Sequence, residues 1–372
     1  MRGLLALLPV AAVAALVAGC GSSGGGDSAG QGASVVQARI TDAGCEPARI
    51  EAPAGPVTFR VEASGSGRVT EFEVLDGTSI LGEVENLVPG ISREFSLTLE
   101  PGTYVTYCPN GSSSERGELV VTGRASTTPV HAAQQAAVRT YREYALEQAD
   151  ELVRRTDRFT AAVLAGDVAG ARALYAPARE PWERIEPIAE SLAGLDPAID
   201  AREGDVPAAT WGGFHRIEQA LWVRDTTAGM APVARRLQSD VRRARAVVRS
   251  AKLQPAQIAN GAKGLLDEVA ASKVTGEEDR YSHTDLWDFA ANVAGSKAAF
   301  TALRPLLEDR DPALARQVAA RFAIVNRTLD RYRRADGFVP FTALTPAQTR
   351  ELARQIDDLA EPVGRMAAVV NG

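Results

Sequence analysis

"VRTYREYALEQADEL", residues 138–152, is where the sequence changes its period. Val138, Tyr141, Ala145, Ala149 and Leu152 recur three or four positions apart, which puts them on one face of a helix. Downstream, runs of the same kind continue to the C-terminus, broken at "GD", "LDP", "REGDVP", "RDP" and "DGFVP". Upstream, back to residue 35, the pattern has period two. "PVTFRVEA", "VTEFEVLDG", "REFSLTLEPGTYVTYC" and "GELVVTG" alternate apolar and polar residues between Gly, Pro, Asn and Asp turns. The chain is therefore read as multidomain. A small all-β sandwich or barrel covers residues 35–123, "RASTTPV" links at 124–130, and an all-α region covers 131–372. Roughly 240 helical residues suit two small bundles.

Whole-chain composition narrows the function classes. With 372 residues and 45% hydrophobic content there is material for more than one core. The 41 bases against 47 acids give a net charge of −6, which argues against a general nucleic-acid binder. The N-terminus, "MRGLLALLPVAAVAALVAGC", has one Arg, an apolar run and small residues, the layout of an export signal over 1–19. Its end, "LVAGC", resembles the bacterial lipobox, which makes Cys20 the lipidated residue. "GSSGGGDSAGQGAS" then reads as a flexible tether, so 20–34 joins the lipid to the folded part. The expectation is an exported protein, anchored by lipid to the outer face of the cytoplasmic membrane or held in the periplasm.

Three stretches of the helical region carry candidate chemistry. On a helix, "WGGFHRIEQALW" (211–222) aligns Trp211, His215, Glu218 and Trp222 as one inward stripe beside Phe214, Ile217 and Leu221. A buried carboxylate needs a cation, either an Arg or a metal ion. H-x-x-E alone is a weak signal; the ordinary reading is a His–Glu hydrogen bond in a core. In "EPWERIEPIAESLAGLDPAIDARE" (180–203), Glu183, Glu186 and Glu190 share a face, with Arg179 and Arg184 near enough to relieve it, and Asp196 and Asp200 follow. Pro181 suits a first helical turn and Pro187 an end. "TGEEDRYSHTDLWDF" (275–289) carries Glu277, Glu278, Asp279, His283, Asp285 and Asp288. There, Ser282 and Asp285 are spaced as a capping box.

Taken together, these stretches and the longer "LLDEVAASKVTGEEDRYSHTDLWDFAANVAGSKAAF" resemble the imelysin-like domain, peptidase M75, in the version found in the EfeO proteins of bacterial iron uptake. The resemblance covers most of 130–372, and the preceding β segment fits the cupredoxin-like domain of the same proteins. It implies two four-helix bundles with a metal site in the cleft between them. It also implies an extracytoplasmic iron-binding component that works with an iron permease and a haem peroxidase-type partner. The ligands it implies are Glu183, Asp200, His215 and Glu278, with Glu186, Glu218 and Glu277 as neighbours. One nitrogen among carboxylate oxygens suits iron. The peptidase name finds no convincing nucleophile–base pair in the sequence.

The β segment has 13 acids, 6 bases and no His, and no Met follows Cys108 within it, so a blue-copper site is excluded. Cys45 and Cys108 remain, with Glu71, Glu73, Glu83 and Glu85 in "EFE" and "EVEN". Two cysteines in an exported chain suit either a disulfide or a metal centre. By resemblance, the second reading is an accessory copper or iron site with a ferroxidase role. A surface glycan-binding protein is a third reading of the whole.

Overall fold

The computed structural model describes residues 34–77, 79–124, 132–188, 194–271, 273–335 and 337–371. Cys20 and Glu190 lie outside them. The β region is a sandwich of two sheets. One has the order β2-β1-β4-β7, from β1 (Ser34–Thr41), β2 (Gly44–Glu46), β4 (Gly55–Ala63) and β7 (Ser92–Leu99). The other has the order β3-β9-β8-β5-β6, from β3 (Arg49–Pro53), β5 (Phe72–Asp76), β6 (Ser79–Val84), β8 (Gly102–Tyr107) and β9 (Arg116–Thr122). The inward half of each alternation fills the space between them: Ile40, Val57, Phe59, Phe72, Val74 and Leu119 are fully buried. Phe59 stacks on Phe95 at 5.1 Å between ring centroids.

The helical region contains α1 (Ala132–Ala165), α2 (Val168–Ile185), α3 (Asp196–Asp200), α4 (Gly213–Trp222), α5 (Ala231–Ser250), α6 (Pro255–Ala271), α7 (Asp285–Arg310), α8 (Pro312–Asp330), α9 (Pro346–Gly364) and α10 (Met366–Asn371). Two groups of four form, α1-α2-α4-α5 and α6-α7-α8-α9, and α7 also packs on α1 and α2. The face read from 138–152 is buried at Tyr141, Ala145, Ala149 and Leu152; at its start Ala137 takes the inner place and Val138 only half. No helix among the described residues is long and apolar enough to cross a membrane.

One boundary differs from the sequence expectation. Pro181 does not open a helix: α2 starts at Val168 and runs through both Pro177 and Pro181. A proline inside a helix leaves the carbonyl four residues earlier without its donor. Here other helices supply one. Pro181 frees the carbonyl of Pro177, which accepts from Arg155 Nη1 of α1 at 2.9 Å. Pro187 does end the α-helix, and the Glu183 carbonyl it frees accepts from Asn292 Nδ2 of α7 at 3.1 Å. Close approach of α7 to α2 also needs Gly295, where a Cβ would stand 2.4 Å from the Arg184 carbonyl oxygen.

The sandwich meets the second group of helices through polar contacts. Arg93 of β7 pairs with Asp267 of α6 at 3.2 Å, and Asn260 donates to the Ser96 carbonyl at 2.7 Å.

Candidate metal centre

The three sequence stretches converge where the two helix groups meet. Helix α2 brings Arg179 and Glu183, one turn apart. Helix α3 ends on Asp200, α4 carries His215 and Glu218, the loop before α7 carries Glu278 and Asp279, and α7 itself carries Asp285, Asp288 and Asn292. All of these are buried. Gly213 lets α4 start against α3. Its φ is +73°, and a Cβ there would lie 2.2 Å from the Ile199 carbonyl oxygen. The Trp211 indole donates to the Ala201 carbonyl at 2.8 Å and closes the same corner.

His215 is held at both ring nitrogens. Nδ1 faces Glu218 Oε2 at 3.0 Å and the Tyr175 hydroxyl at 3.2 Å; Nε2 faces Asp200 Oδ1 at 3.5 Å and Glu278 Oε1 at 3.6 Å. The other Glu218 oxygen accepts the backbone N–H groups of Tyr281 and Ser282 at 3.0 and 2.8 Å. Glu218 thus orients the imidazole and fastens the 277–283 loop to α4. Ligand atoms come within 4.8 Å of one another in three sets: Asp200–His215–Glu278, Glu183–Glu186–Asp200 and His215–Glu218–Asp279. Among the described residues all three lie in the helical region.

Two cationic side chains outside the expected ligand set stand at the middle. The Arg179 guanidinium, fully buried, pairs with Glu183, Asp200, Glu278 at 3.3 Å and Asp288 at 3.2 Å, and its Nη1 lies 3.0 Å from His215 Nε2. The Lys273 ammonium contacts Glu183 at 3.1 Å and Glu186 at 2.8 Å. Arg179 was legible only as relief for an acidic face, through its i,i+4 spacing to Glu183. Its companion in that reading, Arg184, instead bonds Glu180 on the outside at 2.8 Å. Lys273 and Asn292 carry no signal without the partner helices.

Other expectations change. Glu277 points outward, 60% exposed, and pairs with Arg280 at 3.1 Å, so it does not join the cluster. The capping box at Ser282 is not formed. Helix α7 begins at Asp285 behind Thr284 with no side-chain cap, and Asp285 Oδ1 accepts from the Asp279 N–H at 3.2 Å. In the sandwich, Cys45 and Cys108 are joined by a disulfide, with Sγ–Sγ 2.05 Å. Neither thiolate is left to bind a metal, which corrects the reading of that pair as ligands. Glu73 stands opposite Glu83 of β6 and Tyr107 of β8, with Glu71 half-buried just before β5.

Buried acids outnumber buried fixed cations in this cluster. Seven buried carboxylates (Glu183, Asp200, Glu218, Glu278, Asp279, Asp285 and Asp288) meet two buried fixed cations, Arg179 and Lys273. Some carboxyls respond by holding protons. Burial, with the nearby Asp279 charge, pushes Asp285 up to about 7. Burial likewise holds Asp288 well above the carboxylate range despite Arg179, and Glu186 above it despite Lys273. Burial would also raise Asp200, but Arg179, His215 and Lys273 together outweigh it and hold that carboxyl low. Burial and Arg179 favour a neutral His215; Asp200, Glu218 and Glu278 outweigh them and keep the ring charged well above its ordinary range. Asp288 Oδ1 and Asn292 Oδ1 are buried with no hydrogen-bond partner among the described residues.

Comparison with known proteins agrees with this architecture. The imelysin (peptidase M75) family profile matches residues 137–366, and the cupredoxin-like domain profile matches 9–121. The chain is 40% identical over 343 residues to the iron uptake system component EfeO of Escherichia coli (strain K12), covering 90% of this chain and 91% of that protein. The same component of Shigella flexneri matches equally. A solved structure described as an iron-regulated protein A precursor, from Parabacteroides distasonis, superposes with a TM-score of 0.54 at 16% identity. It covers 66% of this chain and 97% of that one, and shows a shared helical fold.

Proposed function

Because the chain belongs to the imelysin family, and to the family of EfeO iron uptake components with a cupredoxin-like domain ahead of the helices, we propose that it is an extracytoplasmic iron-binding component of an iron uptake system. The observation that carries this reading is the buried surplus of carboxylates around His215. Acids in excess of the buried cations hold protons instead, and a multivalent cation can take the place of those protons. Oxygen ligands with one imidazole nitrogen suit iron. Glu183, Asp200, His215 and Glu278 are the proposed ligands. Glu186 stands at the rim and Glu218 acts as the group that orients His215. Iron is cargo in this reading, taken up outside the cytoplasm and passed to a permease, with a haem peroxidase-type protein as the other partner. The lipid anchor at Cys20 belongs to the same proposal. No copper or ferroxidase step is assigned to the sandwich, whose two cysteines are joined to each other.

Titration of the purified ectodomain with ferrous iron, under anoxic conditions, tests the reading and carries a pH prediction. Carboxyls such as Asp285 and Asp288 have raised pKa values and so hold protons in the metal-free chain, and His215 is charged. Iron favours the deprotonated forms of all of them, so loading releases protons and affinity falls as pH falls from 8 toward 5. Calorimetry in buffers of different ionisation enthalpy is expected to show about one proton or more released per ion. Saturable binding with no proton release would remove His215 and its carboxylates from the site.

A further inference from the structure

The binding groups are sealed from solvent, which raises the question of how a cation reaches them. Arg179, Glu183, Asp279 and Asp288 have no exposed surface, and Asp200 and Glu278 keep 9% and 4%. Both of these last residues line one surface cavity of about 160 Å³, together with Glu186. Its outer wall adds Asp196 from α3, Asp205 from the turn after α3 and Glu268 from α6. Arg202 contributes the one basic side chain among the lining residues.

Arg202 spans this mouth. Its Nη1 donates to Glu278 Oε2 at 3.2 Å on the inner side, and its Nε donates to Asp205 Oδ2 at 3.2 Å on the outer side. The two Glu278 oxygens therefore have different duties. Oε1 faces Arg179 and His215 inside the cage, and Oε2 is held by Arg202. The arginine sits on a surface turn, Arg202 to Asp205, with Gly204 at φ +104° and a 3.2 Å bond from Asp205 N–H to the Arg202 carbonyl. About a quarter of its side chain is exposed, 26%. Turning outward costs the Glu278 contact, while Asp205 remains beside it on the same turn and the Glu268 charge already acts on it.

We infer that Arg202 is a displaceable plug in the mouth of the metal centre, holding the outer oxygen of Glu278 until an incoming divalent iron takes that place. This rests on the proposed iron-binding function. The acidic wall draws a cation toward the cavity, whereas the guanidinium, of the same sign as the cargo, opposes its last step. Displacement frees Glu278 Oε2 and leaves the arginine paired at the rim.

Stopped-flow mixing of the full chain with ferrous iron under anoxic conditions tests this, read by intrinsic tryptophan emission, to which Trp182 beside Glu183 and Trp211 and Trp222 on either side of His215 contribute. Arg202→Gln is expected to raise the association rate about tenfold, and Arg202→Lys, which keeps the charge but loses the fork, by less. A merely structural arginine would lower affinity without speeding association. An Arg202→Gln chain that binds iron at the wild-type rate or slower overturns the plug alone. A wild-type chain that takes up no iron overturns the plug and the proposed function together.

Discussion

Replacing Arg179 with Met is expected to destabilise the helical region by about 3–5 kcal/mol at neutral pH, the scale for removing one partner from a buried ion network. The guanidinium is fully buried and pairs with Glu183, Asp200, Glu278 and Asp288 from four different segments. Met fills the stem's volume but leaves those carboxylates facing one another. It also removes the charge lying 5.9 Å and 5.8 Å from the Tyr175 and Phe214 ring centroids. The sign with pH follows from Asp200. In the native chain burial would raise this carboxyl, but Arg179, the largest of the opposing charges, acts with His215 and Lys273 to hold it below its ordinary value of 3.8. Its contribution is present above about pH 4 and is lost as pH falls through the lower, folded-state value. The deficit of the Met variant is therefore largest near pH 7 and shrinks in acid, where its carboxyls protonate. Thermal unfolding at several pH values checks this, and added ferrous iron is expected to restore part of the loss by supplying the missing charge. A deficit under about 1 kcal/mol that does not change with pH would mean that the acids are neutral in the native chain as well.

His215→Ala is expected to weaken iron binding about a hundredfold, equivalent to about 2.7 kcal/mol. The ring is the imidazole beside the proposed carboxylate ligands, with Nε2 3.5 Å from Asp200 and 3.6 Å from Glu278. Glu218→Gln is expected to cost about tenfold, because it alters the orientation of the ring and the tie to Tyr281 and Ser282 without removing a proposed ligand. Equilibrium titrations of the three proteins, with circular dichroism to confirm folding, separate the two roles. Wild-type affinity in His215→Ala would remove the imidazole from the site.

The break between β and α was legible because each period persists over many residues, and packing preserved both. Glu183, Asp200, His215 and Glu278 were legible as a set through their resemblance to a family. The spacing of His215 and Glu218 alone favoured a core hydrogen bond, and that bond is indeed present. What escaped the sequence depends on contacts between distant segments. Arg179 reads as an ordinary surface partner of Glu183 until α3 and α7 close over it. Asp288 stands among the candidate acids of 275–289, but Asn292, four residues further on α7, gives no signal until α2 is packed against it. Glu277 and Glu278 are adjacent and identical in type, so only the course of the backbone decides which one turns inward. The capping box failed for a related reason: the loop before α7 is held by Glu218 and Asp285, which leaves Ser282 bonded to Thr284.

Pro181 inside α2 and Pro187 just past its end have a mechanical consequence. Each opens a gap in the helix's own ladder, and each gap is filled by a side chain from a different neighbour, Arg155 of α1 and Asn292 of α7. A helix whose missing bonds are made by its neighbours cannot slide or rotate without breaking them. The rod that carries Arg179 and Glu183 is thus keyed in register on two sides. Breathing of the bundle is a poor way to admit cargo, and compliance is left to the short turn at the rim.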